Sequence, residues 1–99
     1  MALQSAELEK IADDHYQLRG DVTLYTASSL ASVDAFSAVD KVTIDLSAVG
    51  KTDSGTLALL VNWQRRAARQ GKVVVFSNLP ASLESLMGLY DLGSVLELN

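Results

Sequence analysis

The stretch that decides the fold is 42-VTIDLSAVGKTDSGTLALLVNWQRRAARQGKVVVF-76. It opens on Val42-Thr43-Ile44-Asp45-Leu46, an alternating β-rich run, and closes on Val73-Val74-Val75-Phe76, a continuous β-branched run of the kind found in strands covered on both faces. Between them residues 54–70 carry a helical pattern, with Leu57, Leu60, Val61, Gln64, Ala67 and Ala68 inside one arc of a 3.6-residue wheel. Gly71 supplies a helix stop. A strand, a helix of this length and a second strand form a right-handed crossover, so the two strands are expected to be parallel neighbours.

Working outward, residues 6–12 alternate crudely and Tyr16-Gln17-Leu18-Arg19 alternates well, with Asp13-Asp14 between them as turn residues. This predicts an opening hairpin whose second strand closes at Gly20-Asp21. From Ser28 to Phe36, Leu30, Val33 and Phe36 recur at helical spacing, with Ser28 or Ser29 as N-cap, giving a short first helix. Pro80 fits the first turn of a further helix with the stripe Leu83, Leu86, Met87 and Tyr90, ending near Gly93, and Val95-Leu96-Glu97-Leu98 reads as a last strand. The expected order is β-β-α-β-α-β-α-β, an α/β mixed sheet with helices packed against it.

The 99 residues, 48% of them hydrophobic and 20% charged, suit one globular domain over residues 1–99 and no interdomain cleft. Cysteine is absent, which removes disulfides, thiolate nucleophiles and cysteine-based metal sites. His15, the one histidine, sits in the polar run Asp13-Asp14-His15 and reads as a solvated turn residue, so no metal or cofactor site is expected. A net charge of −4 argues against a phosphate-backbone binder, and nucleic acid is excluded as a first partner. The N-terminus lacks the basic and apolar regions of a signal peptide, and Leu57 to Val61 is too short an apolar run to span a bilayer. The expectation is a protein that neither leaves the cytoplasm nor inserts into a membrane.

Gly50-Lys51-Thr52 follows a strand and superficially suggests a phosphate-binding loop. That motif requires glycine five residues before Gly50, and Asp45 stands there, so nucleotide binding is rejected in favour of a strand exit with a solvated lysine. Nothing marks an acid/base pair, and no enzymatic activity is expected.

Thr52-Asp53-Ser54-Gly55-Thr56 lies where the strand hands over to the main helix. Asp53 or Ser54 can serve there as N-cap; equally, a hydroxyl displayed at this helix end could accept a phosphoryl group, whose charge the dipole favours. Charge is also unevenly distributed. No acid occurs from Ser54 to Leu83, while Arg65, Arg66, Arg69 and Lys72 supply four of the eight bases and the first 53 residues hold nine acids. On the wheel Leu59, Trp63, Arg66 and Gln70 form a ribbon beside the core arc, a composition favoured in interface hot spots. The ribbon reads as a partner-binding face, as a basic flank facing lipid headgroups, or as a solvated edge with Trp63 folded over the sheet margin.

The order of elements and the string Asp53-Ser54-Gly55-Thr56-Leu57-Ala58-Leu59-Leu60 resemble the STAS family, the sulfate-transporter and anti-sigma-factor-antagonist domains. Within it the sequence is similar to the MlaB type, through the Ile-Asp-Leu-Ser strand end at Ile44 to Ser47, the Asp53 to Leu60 loop and helix, Gln70-Gly71, and Leu89-Tyr90. The resemblance implies a STAS-like (SpoIIAA-like) fold. It also implies a non-enzymatic cytoplasmic subunit that binds the ATPase of a bacterial phospholipid ABC transporter (MlaF-like), and through it the permease and substrate-binding subunits (MlaE-like, MlaD-like), maintaining outer-membrane lipid asymmetry. It places the family's loop hydroxyl on Ser54, Gly55 on the phosphoacceptor of the sigma-pathway antagonists, and Thr56 where both patterns have glycine. The expected site is therefore the loop Asp53, Ser54, Gly55 and Thr56 with the helix face Leu59, Trp63 and Arg66. A phosphorylation-regulated anti-sigma-factor antagonist is the competing expectation.

Overall fold

The computed structural model describes residues 6–23, 26–27, 30 and 40–90, with the side chain of Tyr90 outside the description. The expected hairpin is present: β1 (Glu7–Ala12) pairs antiparallel with β2 (His15–Val22). The turn at Asp13-Asp14 carries a Lys10–Asp13 ion pair at 3.0 Å. β3 (Lys41–Thr52) lies parallel to both β2 and β4 (Val73–Ser77), giving a mixed four-stranded sheet in the order β1-β2-β3-β4. Two helices complete the described fold, α1 (Ser54–Arg69) between β3 and β4 and α2 (Ala81–Tyr90) after β4. The first helix expected over Ser28–Phe36, apart from Leu30, and the last strand expected over Val95–Leu98 lie outside the described residues.

The strand alternation sets the core. Tyr16 and Leu18 of β2, Val42, Ile44 and Leu46 of β3, and Val74 and Phe76 of β4 are buried in one cluster with Leu59, Leu60 and Trp63 of α1 and Leu83 and Met87 of α2. At about 1.5–3 kcal/mol for each large apolar side chain withdrawn from water, this cluster dominates the stabilisation. The alternate residues form the opposite, partly exposed face, where the register sets Gln17 beside Asp45 and Asp45 beside Ser77.

Three expectations are corrected. β2 continues past Gly20-Asp21 to Val22, and β3 continues past Leu46 to Thr52, each through register shifts against the other. Residues 47–51 are mostly exposed and lack an apolar alternation, so this half of β3 leaves no hydrophobic signal; backbone pairing holds it, with the Lys51 N–H donating to Asp21 Oδ1 at 2.9 Å. Gly50 has its reason here, since a Cβ at that position would lie 2.5 Å from the same Asp21 oxygen. Gly50-Lys51-Thr52 is thus extended strand rather than strand exit, its backbone committed to the sheet.

The third correction concerns α1. Its buried side is Thr56, Leu57, Leu59, Leu60, Trp63 and Ala67, while Val61 and Gln64 are only half-buried and Ala68 is exposed. The helix is turned about its axis by roughly a fifth of a turn from the expected arc. Leu59 and Trp63, two residues of the expected partner-binding ribbon, are 2% and 0% exposed. Trp63 neither faces a partner nor lies over a sheet margin: the indole is packed in the core and its Nε1–H donates to the Leu30 carbonyl at 3.1 Å. That bond removes the polar cost of burying the largest apolar side chain in the sequence.

Candidate partner-binding site

α1 starts on a reciprocal cap. Asp53 is the N-cap, with extended backbone at φ −152°, and its carboxylate accepts from the Gly55 N–H at 2.7 Å; the Thr56 hydroxyl reaches back to accept from the Asp53 N–H at 3.0 Å. The same hydroxyl donates to the Val22 carbonyl, tying the first turn of α1 to the end of β2. Thr56 is fully buried, and it stands in the helix without positive φ, so it carries no backbone strain.

Of the four loop residues singled out from sequence, only Ser54 is presented to solvent. Asp53 is engaged in the cap, and Gly55 and Thr56 are buried. Thr52 is tied down as well, its hydroxyl 3.0 Å from that of Ser82. The hydrogen-bonded loop leaves one hydroxyl displayed at the positive end of the helix.

Ser54 stands at one end of a groove of about 550 Å³ along the outer side of α1. Leu57, Ala58 and Val61 give it an apolar lining, and Asn62 joins Ser54 as its neutral polar residues. Toward the C-terminal end Arg65, Arg66 and Arg69 line it. Arg66, the third residue of the expected ribbon, therefore does reach the candidate surface, whereas Leu59 and Trp63 are removed from it. Ala58, Asn62, Arg65 and Arg69 were missed, although a signal existed: Ser54, Ala58 and Asn62 repeat at four residues, as do Arg65 and Arg69, and both rows lie opposite the buried side.

A second polar cluster lies on the open face of the sheet. Partial burial pushes the Asp45 carboxyl upward in pKa, but hydrogen bonds from Asn78 Nδ2 at 3.0 Å, from Ser47 (backbone N–H at 2.8 Å, and hydroxyl) and from Gln17 Nε2 at 3.4 Å outweigh it and hold the group below its ordinary value. Asn78 adopts φ 56°, a left-handed conformation that asparagine tolerates, which closes β4 and aims its amide at Asp45. Among the described residues no cluster of three or more His, Cys, Asp or Glu could hold a metal, and no helix is long and apolar enough to cross a membrane.

The fold and the capped helix end define a STAS domain. A Thermotoga maritima protein assigned as an anti-sigma factor antagonist shares this fold with a TM-score of 0.73 at 20% identity, over 94% of this chain and 84% of that one. Unphosphorylated SpoIIAA, an anti-sigma factor antagonist, matches with a TM-score of 0.65 at 12% identity, over 96% of this chain and 87% of the other. Within that class the chain belongs to the MlaB-type STAS family, whose family model, described as "MlaB, STAS domain", matches residues 8–97. No curated protein matches the sequence significantly.

Proposed function

We propose that this chain is a non-enzymatic accessory subunit of a bacterial phospholipid-trafficking ABC transporter, one that maintains outer-membrane lipid asymmetry. It binds the ATPase subunit on the cytoplasmic face of the inner membrane and supports its assembly and activity. Membership of the MlaB-type family carries this reading. The site fits it. Its hydroxyl-bearing loop is hydrogen-bonded through the cap, and the groove beside it combines apolar lining with cationic edge, a composition suited to protein contact and lacking any acid/base pair. Such a subunit acts by binding one conformational or assembled state of the ATPase more tightly than others, since only differential affinity shifts an equilibrium.

The interface is assigned to Ser54, Ala58, Asn62 and Arg66, replacing the buried Leu59 and Trp63. Ala58→Glu tests it, because Ala58 is exposed on α1 and glutamate is a good helix former, so the fold persists. Tagged parent protein purified from detergent-solubilised membranes of its own bacterium is expected to bring down an ABC ATPase with its permease and substrate-binding subunits. Ala58→Glu is expected to lose them while keeping its thermal transition. Undiminished recovery with Ala58→Glu contradicts the assigned face; recovery of a serine kinase or anti-sigma factor from the parent contradicts the transporter role and makes phosphorylation of Ser54 the next measurement.

A further inference from the structure

We infer that the groove on α1 receives an acidic amphipathic helix of the partner protein, lying along α1 with its carboxylates over Arg65 and Arg69. The inference rests on the proposed function only for the identity of the partner, the ATPase subunit. Its basis is charge and shape. Arg65 and Arg69 are exposed, and among the described residues neither enters an ion pair; the nearest stretch of chain in either direction, Ser54 to Leu83, holds no acid. Two guanidiniums on successive turns of one face make a cationic edge, and bidentate pairing with carboxylates is what guanidinium geometry favours.

The shape selects a helix. Ser54, Ala58 and Asn62 form a row of small side chains four residues apart, and such a row leaves a furrow along the helix into which the ridge of a second helix packs at an axis separation of about 8–10 Å. From Ser54 to Asn62 the furrow is about 12 Å long, some two turns of a partner helix at 1.5 Å per residue, and the groove continues beyond it along Arg65, Arg66 and Arg69. Half-buried Val61 offers apolar contact between the small-residue row and the cations, which lie at one end. The matching segment thus has an apolar stripe through its centre and carboxylates three or four residues apart toward one terminus.

A second copy of this chain fits poorly. Its acids concentrate in the first 53 residues, so copies joined acidic side to basic groove would contact each other through two different surfaces, the geometry that produces open chains rather than a closed dimer. A lipid surface fits poorly as well: the apolar lining is recessed, Leu57 being buried, rather than projecting to enter a bilayer.

The test installs p-benzoylphenylalanine at Asn62 in the native bacterium, cross-links the assembled complex and identifies the joined peptide by mass spectrometry. Alongside it, Arg65→Glu/Arg69→Glu and Arg65→Lys/Arg69→Lys proteins are compared with the parent in co-purification, with thermal melts to confirm folding. The expected result is a cross-link to an acidic amphipathic helical segment of the ATPase, recovery reduced about tenfold or more by the double glutamate variant, and substantial retention in the lysine variant. If the ATPase is recovered but the cross-link falls on a basic or non-helical segment, on lipid or on another copy of this chain, or if the glutamate variant binds normally, the inference is overturned and the transporter reading stands. If the parent recovers no ATPase, the transporter reading falls. The cross-linked peptide then still decides the groove: an acidic helix of another protein upholds its ligand chemistry, and any other product or none overturns it.

Discussion

Trp63 shows how a single side chain can carry opposite meanings in sequence and in structure. Beside Arg66 on a helical wheel it has the makings of an interface anchor, yet it is fully buried and hydrogen-bonded to Leu30. Trp63→Ala is expected to cost about 3–5 kcal/mol in urea or guanidinium unfolding, a large part of the stability of a domain this size. Any loss of partner binding by that variant would then follow the loss of fold. Thr56 is the second such residue. Thr56→Val preserves shape but leaves the Val22 carbonyl and the Asp53 N–H without their partner, and should destabilise by about 1–3 kcal/mol. Because a small domain shifts by about 4–8 °C per kcal/mol, calorimetry reads the effect directly. Asp45 predicts a pH dependence. Its folded pKa lies below the unfolded value of about 3.9, so between the two the unfolded chain holds more protons and stability rises with pH. The contribution is complete above the unfolded value and is lost as pH falls through the folded one. Asp45→Asn should therefore show a shallower loss of stability than the parent on acidification below about pH 4, measured by denaturant titration at stepped pH; parallel acid limbs would contradict the assignment.

At the scale of the element, the hand-over from β3 to α1 organises the site. The cap at Asp53 was legible as a possibility, since aspartate and serine both suit an N-cap and a short sequence does not rank them. Its reciprocal partner Thr56 was not, because its hydroxyl is used by a carbonyl 34 residues away. The periodicity locates α1 almost to the residue but leaves its rotation open. Leu57, Leu59, Leu60, Val61 and Trp63 supply apolar positions around more than half of the helix, so several arcs satisfy periodicity equally well. Only the docking of Trp63 against Leu30 and of Thr56 against Val22 fixes which side turns inward. The same rotation exposes the Ser54, Ala58, Asn62 row and gives the groove its floor.

At the scale of the molecule, the polarised charge becomes a directional feature once the arginines are seen to share one side of α1 with an apolar furrow. That arrangement underlies the predicted behaviour of Ala58→Glu and of the paired arginine variants, both of which act on assembly while leaving the fold intact. Local patterns in the chain specify the hairpin, the parallel pair around a central helix, the two described helices and the STAS resemblance, because alternation, helical spacing, caps and a glycine stop survive without tertiary context. Tertiary structure alone decided the extension of β3 to Thr52, the burial of Leu59 and Trp63, the commitment of Thr56 and the face that α1 turns outward. Each of these depends on a partner distant in sequence, a strand, a carbonyl or a packed ring, and no local pattern encodes where such a partner will lie.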